Sequence, residues 1–570
     1  MLAWVVSGSY FLSDDYLNFA RATELGFREW VNGELFGHWL PARKALDWGL
    51  NGFRPISWAA TVAVLVMFVG VAALLTRLVV LRLTASPAWA NVALIVLPLT
   101  CAVPGTVQWY AGAAQVIPAI TCASAVLLTV VWLPAFTGWG RLGMLVALLV
   151  ALGVGLLFDE RTAVIAAVAP ALLPLIVRGR RLWSAVLVSY LSMIPFLMAW
   201  YVVQSRMTSG SNEAFAPFGT VAAFMVTAVI QNAVPSLFGW VTRPALWGEG
   251  VLWPVAGVLL ILLAVLVFLS RSRAKSAWAI GVWLTGAALT AAPTALIRAE
   301  QFGVSAALEP RYIAMAMPLG VIALAYVGST LRTPTKAGRL AAAAVTAVLV
   351  AALAANLVHL QSNTAGESNR AWAERFVRTA EESRTVHFYN VPVAGFVIPW
   401  AFYPYNLAGA VLPQVYPPAD TVVTSDAAGF VTSDGTVRVI SPSPVGVASF
   451  TGADGFAQSP SEGSAGCYVA SPDGGRLSFA APEMPANAAT AVISVHGAFT
   501  DTGLRVVTGP DWSKLRDKTA GVGGHSPVPG SAVWVTTEEL PDMRVIGIDV
   551  QPNQTVCIES VQIGTLPAVE

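Results

Sequence analysis

Four short stretches of this sequence hold ionisable side chains in groupings that could do chemistry. "FLSDDYLNFA" (residues 11–20) sets Asp14 beside Asp15, and "FDERT" (158–162) sets Asp159 beside Glu160 and Arg161. A carboxylate can take the proton of an attacking hydroxyl, and two pairs could share a divalent ion, since carboxylates suit Mg²⁺ or Mn²⁺. "IRAEQFGVSAALEPRYIAMAMP" (297–318) supplies Arg298, Glu300, Glu309, Arg311 and Tyr312. The planar guanidinium fork fits phosphate oxygens, so Arg298, Arg311 and Arg161 are candidate phosphate-binding residues. "GHWLPAR" (37–43) carries His38, the only histidine of the first loop, which could aid phosphate or sugar binding.

Each grouping also has a plainer use. One aspartate of the first pair could cap the helix that follows, which accounts for one carboxylate but not two. Asp159, Glu160 and Arg161 could form a structural salt link. An arginine at a helix end can be an anchor, and His38 an ordinary interfacial histidine. Recurrence favours chemistry: two carboxylate pairs end apolar runs, and the expectation is that they converge in one wet pocket with a guanidinium. Ionisable groups at membrane depth are costly and tend to mark function.

The elements that position these residues are membrane spans. Of 570 residues 56% are hydrophobic and 11% charged, and the mean hydropathy is +0.66. Soluble domains carry roughly 25% charged residues, so the composition is that of a membrane protein. A net charge of +1 without a Lys/Arg run excludes a nucleic-acid partner. A spanning helix needs about 20 apolar residues. Charge-free windows give ten complete spans, near 57–82, 87–104, 112–134, 141–158, 162–178, 183–203, 251–270, 276–297, 312–330 and 339–360. "MLAWVVSGSYF" is too short to cross and lacks a signal peptide's basic start; it reads as the outer half of a first helix, for about eleven spans in all.

One set of turns holds Arg77, Arg82, Arg141, Arg178, Arg180, Arg181, Arg271, Arg273, Lys275, Arg332, Lys336 and Arg339 without an acid; every Asp and Glu before residue 360 falls in the other set. Basic turns stay cytoplasmic, which puts the acidic loops and the C-terminal tail outside a multi-pass cytoplasmic (inner) membrane protein. Uncharged 215–242 could also cross, but Gln231, Asn232 and Pro235 favour an interfacial or re-entrant segment. After Asp15, the residues Tyr16, Phe19, Ala20, Phe27, Trp30 and Val31 lie on one helical arc, opposite Arg21, Glu24 and Arg28, as in a helix lying along the interface.

Three regions result: 1–361 spanning the membrane, a mixed α/β connector over 362–440, and 441–570, whose short alternating runs between turn residues predict an extracytoplasmic β-sandwich or jelly roll. Cys467 and Cys557 lie near either end of that β region, and in an oxidising space a disulfide between them is expected. Closing a loop of about 90 residues would contribute roughly 4–5 kcal/mol in the chain-entropy model. Cys101 and Cys122, inside spans, are expected to be free.

"SDDY" just after the first apolar run, "FDER" in a later outward loop and the histidine-bearing "GHWLPAR" give residues 1–360 an organisation that resembles the GT-C superfamily of membrane glycosyltransferases. The β tail resembles the carbohydrate-binding-like C-terminal domains of actinobacterial cell-envelope arabinosyltransferases and their relatives. The resemblance implies transfer of a sugar from a polyprenyl-phosphate donor to a glycan, lipid or protein acceptor outside the membrane. Asp14 or Asp15 would be the base, an arginine would hold the lipid phosphate, and Asp159 and Glu160 would orient the acceptor or share an ion with the first pair. A transporter or lipid flippase would also have many spans, but its charges belong at the midplane, and here they sit at helix ends. A non-catalytic envelope scaffold would leave both acidic pairs without a use.

Overall fold

The computed structural model describes the chain except residues 1, 35–37, 52–53, 208–215, 241–251, 332–353, 363, 390–392, 400–404, 406–407, 423–427, 441–442, 458–466, 484–487, 500–503, 510–518, 521–530, 537–543, 551, 553 and 568–570. It divides into two compact units: Met1–Phe11, Arg21–Gly52 and Ser57–Glu367 form the first, and Leu12–Ala20, Phe53–Ile56 and Ser368–Glu570 the second.

The first unit is helical. Among the described residues seven helices are long and apolar enough to cross a membrane: Trp58–Thr84, Pro87–Val107, Tyr110–Ala135, Gly138–Phe158, Arg180–Met207, Phe218–Leu237 and Arg273–Phe302. Thr162–Leu175, Trp253–Leu269 and Ala314–Ser329, expected as spans, are shorter apolar helices. The expected last span lies mostly outside the described residues, with 354–362 helical. Leu2–Val6 makes one short helix.

Helix starts follow capping chemistry. The Ser57 hydroxyl accepts the Ala60 N–H at 3.2 Å at the head of Trp58–Thr84, and Ser86, followed by Pro87 in the first turn, accepts from Trp89. Trp58–Thr84 buries Val62, Leu65, Val69, Ala72, Thr76, Val79 and Leu83, spaced by three or four residues, while Met67 and Leu74 stay exposed. A helix apolar on both its packed and its exposed face suits lipid surroundings.

The unit has two chemically distinct ends. At one, Lys275 Nζ donates to Leu175 O at 2.7 Å, Arg271 N to Thr330 O, and the Ser270, Ser276 and Thr330 hydroxyls join in one cluster. The acidic loops gather at the other, described below. Phe218–Leu237, read from sequence as interfacial or re-entrant, is a helix with the length and apolarity to cross, and a π-helical stretch, Thr227–Ala233, interrupts it. Its contacts favour the acidic end. Ala216 N donates to Leu296 O, Phe224 packs on Tyr312, and Asn232 Nδ2 donates to the Ala307 and Glu309 carbonyls.

The second unit begins with a four-stranded sheet in which His387–Tyr389 pairs in parallel with Asp420–Val422 and Ala428–Val431, and Val437–Ile440 adds antiparallel. Trp372 and Phe376 of the helix Glu367–Ser383 and Phe388 are buried together, with Phe376 edge-on to Phe388. Further along lie a seven-stranded and a four-stranded sheet. Ile493, Val495, Val561 and Ile563 of the former and Leu477, Phe479, Ile546 and Ile548 of the latter share one hydrophobic core. Cys467 and Cys557, opposite each other on antiparallel strands, form the expected disulfide. Cys101 and Cys122 are free, also as expected.

Candidate functional site

The helix Gly138–Phe158 ends where Asp159 takes an extended conformation, its N–H donating to Gly155 O at 2.8 Å. Gly155 is required there, since a Cβ would lie 2.5 Å from Thr162 Cγ2 and 2.9 Å from Cys122 Cβ. Asp159 is fully buried. Its Oδ1 accepts the Arg161 N–H at 2.9 Å and Nε–H at 3.0 Å, and its Oδ2 accepts Arg161 Nη2 at 2.5 Å. Arg161 Nη1 continues to Arg311 O at 3.0 Å, tying the loop after Gly138–Phe158 to the loop before Met317–Ser329.

Glu160 turns the other way. Its side chain is 31% exposed, and Oε1 lies 2.9 Å from Nδ1 of His38, itself 30% exposed. Oε2 accepts Gln204 Nε2 at 3.4 Å. The ends of Gly138–Phe158 and Arg180–Met207 therefore meet at Glu160, and their basic starts, Arg141 and Arg180–Arg181, lie at the far ends of the same two helices. Trp39, next to His38, stacks on Trp200 with ring centroids 5.3 Å apart.

Arg311 lies with its guanidinium carbon 3.8 Å above the Trp109 ring, and its Nη2 donates to Tyr312 OH at 2.9 Å. No carboxylate pairs with it among the described residues, and its buried Nε–H lacks an acceptor there. Arg298 is half-buried near the end of Arg273–Phe302.

The expected interfacial helix is in part a buried one. Trp30 is fully buried, and its indole donates to Lys44 O while Lys44 Nζ donates to the Trp30, Gly33 and Glu34 carbonyls. Burial, with Arg21 and Arg43 nearby, lowers the Lys44 amine to about 8. Burial raises Asp47, which accepts the Tyr110 hydroxyl at 2.6 Å and faces Arg43 at 3.4 Å.

Asp14 and Asp15 occupy the first turn of Ser13–Glu24. Leu12 is the cap: its carbonyl accepts the Asp15 and Tyr16 N–H groups, and its own N–H donates to Asp15 Oδ2 at 2.7 Å. Asp15, fully buried, thus returns half of a capping box, whereas Asp14 is half-buried. The turn is held by Gln414, whose Nε2 donates to Tyr16 O at 3.1 Å.

No group of three or more His, Cys, Asp or Glu side chains that could hold a metal occurs among the described residues. Asp159 has both oxygens committed to Arg161, so the suggested shared divalent ion does not fit its donor set.

Gln204, Trp200 and Trp109 escaped the sequence reading, and Asn232 entered it only as a polar residue within 215–242. Trp200 and Gln204 sit one turn apart at the outer end of an expected span, and Trp109 lies in the break between two spans; both placements were available as signals.

No family model matches the chain, and no curated protein matches it. Among solved structures it is similar to arabinosyltransferase EmbB from Mycobacterium smegmatis, with a TM-score of 0.29 and 14% identity over 99% of this chain. The chain spans 63% of that protein's length, less than two thirds. With a TM-score that low, the functional reading rests on the residues themselves.

Proposed function

We propose that the chain is a membrane glycosyltransferase that moves a sugar from a polyprenyl-phosphate donor to a hydroxyl of a cell-envelope glycan, lipid or protein acceptor on the outer face of the cytoplasmic membrane, with the two-sheet tail serving as a carbohydrate-binding β-sandwich. One observation carries this reading. In each acidic pair one carboxylate is buried in a structural task, Asp15 in its cap and Asp159 on Arg161, while its neighbour, Asp14 or Glu160, keeps access to solvent. In each pair, then, one acid stays within reach of a ligand.

In the proposed reaction the acceptor oxygen attacks the anomeric carbon, the bond from that carbon to the phosphate oxygen breaks, and polyprenyl phosphate leaves with the electron pair. Asp14 takes the hydroxyl proton. Arg311, pre-oriented by Trp109 and with no carboxylate partner among the described residues, stabilises the departing phosphate, with Arg298 as a second cation. Glu160 and His38 orient the acceptor, and Arg161, neutralised by Asp159, fixes the Arg311 loop.

Membranes containing the wild type or Asp14→Asn, incubated with labelled polyprenyl-phosphate sugars, test this. The wild type should label envelope glycans, and the variant should lose that labelling by about 10²–10⁴-fold. Equal labelling by both would remove Asp14 as the base.

A further inference from the structure

Glu160 is the centre of a cluster whose arrangement suits one class of ligand. His38 and Trp39 are chain neighbours, and Trp200 and Gln204 are one helical turn apart on Arg180–Met207, so each pair presents its members together. The pairs meet crosswise: Trp39 stacks on Trp200 at 5.3 Å, and Glu160 lies between His38 at 2.9 Å and Gln204 at 3.4 Å. An aromatic surface therefore adjoins an imidazole, a carboxylate and an amide.

Unlike Trp30, Trp283 and Trp372, which are fully buried core residues, Trp39 and Trp200 are half-buried. The Trp39 indole N–H has no acceptor among the described residues. An indole face is broad and apolar and carries a polar edge, which matches a sugar ring with one C–H face and hydroxyls at its rim. A carboxylate accepts two hydroxyl hydrogens at once, and an amide both donates and accepts. With Glu160 the carboxylate beside the stack, an anionic ligand is disfavoured.

We propose that Trp39 and Trp200 are the stacking platform of a subsite for a neutral glycoside, with Glu160, Gln204 and His38 taking its hydroxyls. The inference rests on the glycosyl-transfer reading and names the residues that hold the acceptor sugar. Interfacial anchoring is the competing use of two tryptophans at a span's outer end.

The test is saturation-transfer NMR on the full-length protein in nanodiscs with a panel of neutral methyl pyranosides and furanosides, alongside transfer assays. The wild type should pass saturation to ring C–H protons of at least one glycoside. Trp200→Ala should weaken that binding about tenfold or more, Trp200→Phe should restore part of it, and Gln204→Ala should weaken it without touching the stack. Monodisperse elution and an unchanged thermal transition qualify each variant; if Trp200→Ala fails these, Trp200→Phe and Gln204→Ala decide. Binding of no glycoside by the wild type, or equal binding by wild type and the folded variants, overturns the subsite. Trp200-dependent binding by a protein that transfers no sugar would sustain the subsite and remove the transferase reading. Undiminished transfer by Trp39→Ala and Trp200→Ala would do the reverse.

Discussion

Glu160 Oε1 lies 2.9 Å from Nδ1 of His38, joining the end of the helix Gly138–Phe158 to the first loop. Both side chains remain about one-third exposed, so the pair keeps faces open to a ligand.

The two residues should act as a unit. Glu160→Gln and His38→Ala should each raise the acceptor KM by roughly 10–100-fold, since a hydrogen bond to a charged group is worth about 1.5–3 kcal/mol. The double variant should be little worse than either single one. Steady-state kinetics on all four proteins gives the coupling, and fully additive losses would show independent roles.

Asp14 and Asp15 should separate by readout. Asp15→Ala removes the carboxylate that accepts the Leu12 N–H and should cost about 0.5–2 kcal/mol of stability. Asp14→Asn, isosteric with the carboxylate, should abolish most transfer. Paired melting and activity curves check this, and the reverse pattern would exchange the two assignments.

Asp159 and Arg161 form a buried ion pair, so Asp159→Ala should destabilise the protein by about 3–5 kcal/mol by leaving Arg161 uncompensated. Gly155→Ala, which would push a methyl group into Thr162 and Cys122, should cost about 1–3 kcal/mol. Denaturant or thermal unfolding in detergent reads both. Asp159→Ala with wild-type stability would deny the pair its structural role.

Arg311→Lys keeps the charge but loses the planar stack on Trp109 and the forked donors. The donor KM should rise about tenfold with folding unchanged, and Trp109→Ala should act in the same direction through the orientation of Arg311. Donor-concentration series on both variants provide the check.

The tail carries an acid-sensitive turn. The Thr432 hydroxyl, the Thr436 N–H and Arg375 hold the Asp434 carboxyl below its ordinary value of 3.8. A depressed carboxyl adds stability that is present in full above the unfolded value and is lost as pH falls through the folded one. Stability should therefore decline below about pH 4, and Asp434→Asn should flatten that decline. Unfolding followed from pH 3 to 7 in both proteins tests it.

Much of this was legible in the sequence because membrane physics is local. Charge-free windows place most helices within a few residues, and the division into basic and acidic turns anticipates the Lys275–Leu175 end and the Glu160–His38 end of the helical unit. The cysteine pair was readable from its place near either end of the β region. What was not legible depends on contacts between distant residues. Whether Asp14 or Asp15 caps the helix turns on one bond to Leu12 N, and whether Asp159 or Glu160 pairs with Arg161 turns on which way each side chain leaves the helix end. Gln204 and Asn232 are ordinary polar residues in apolar segments until their partners, Glu160 and the 307–309 carbonyls, are known. Phe218–Leu237 has the composition of a span, and the bonds from Asn232 to the 307–309 carbonyls are a feature that hydropathy cannot show.

The most direct measurement reconstitutes the purified protein in liposomes with a labelled polyprenyl-phosphate sugar and an acceptor glycan outside, and follows both the sugar and the lipid. A transferase should release one free polyprenyl phosphate for every sugar that appears on the glycan, with Asp14→Asn and Glu160→Gln suppressing both together. Movement of intact sugar-lipid between leaflets, with no glycan product and no free polyprenyl phosphate, would contradict the account and identify a flippase instead.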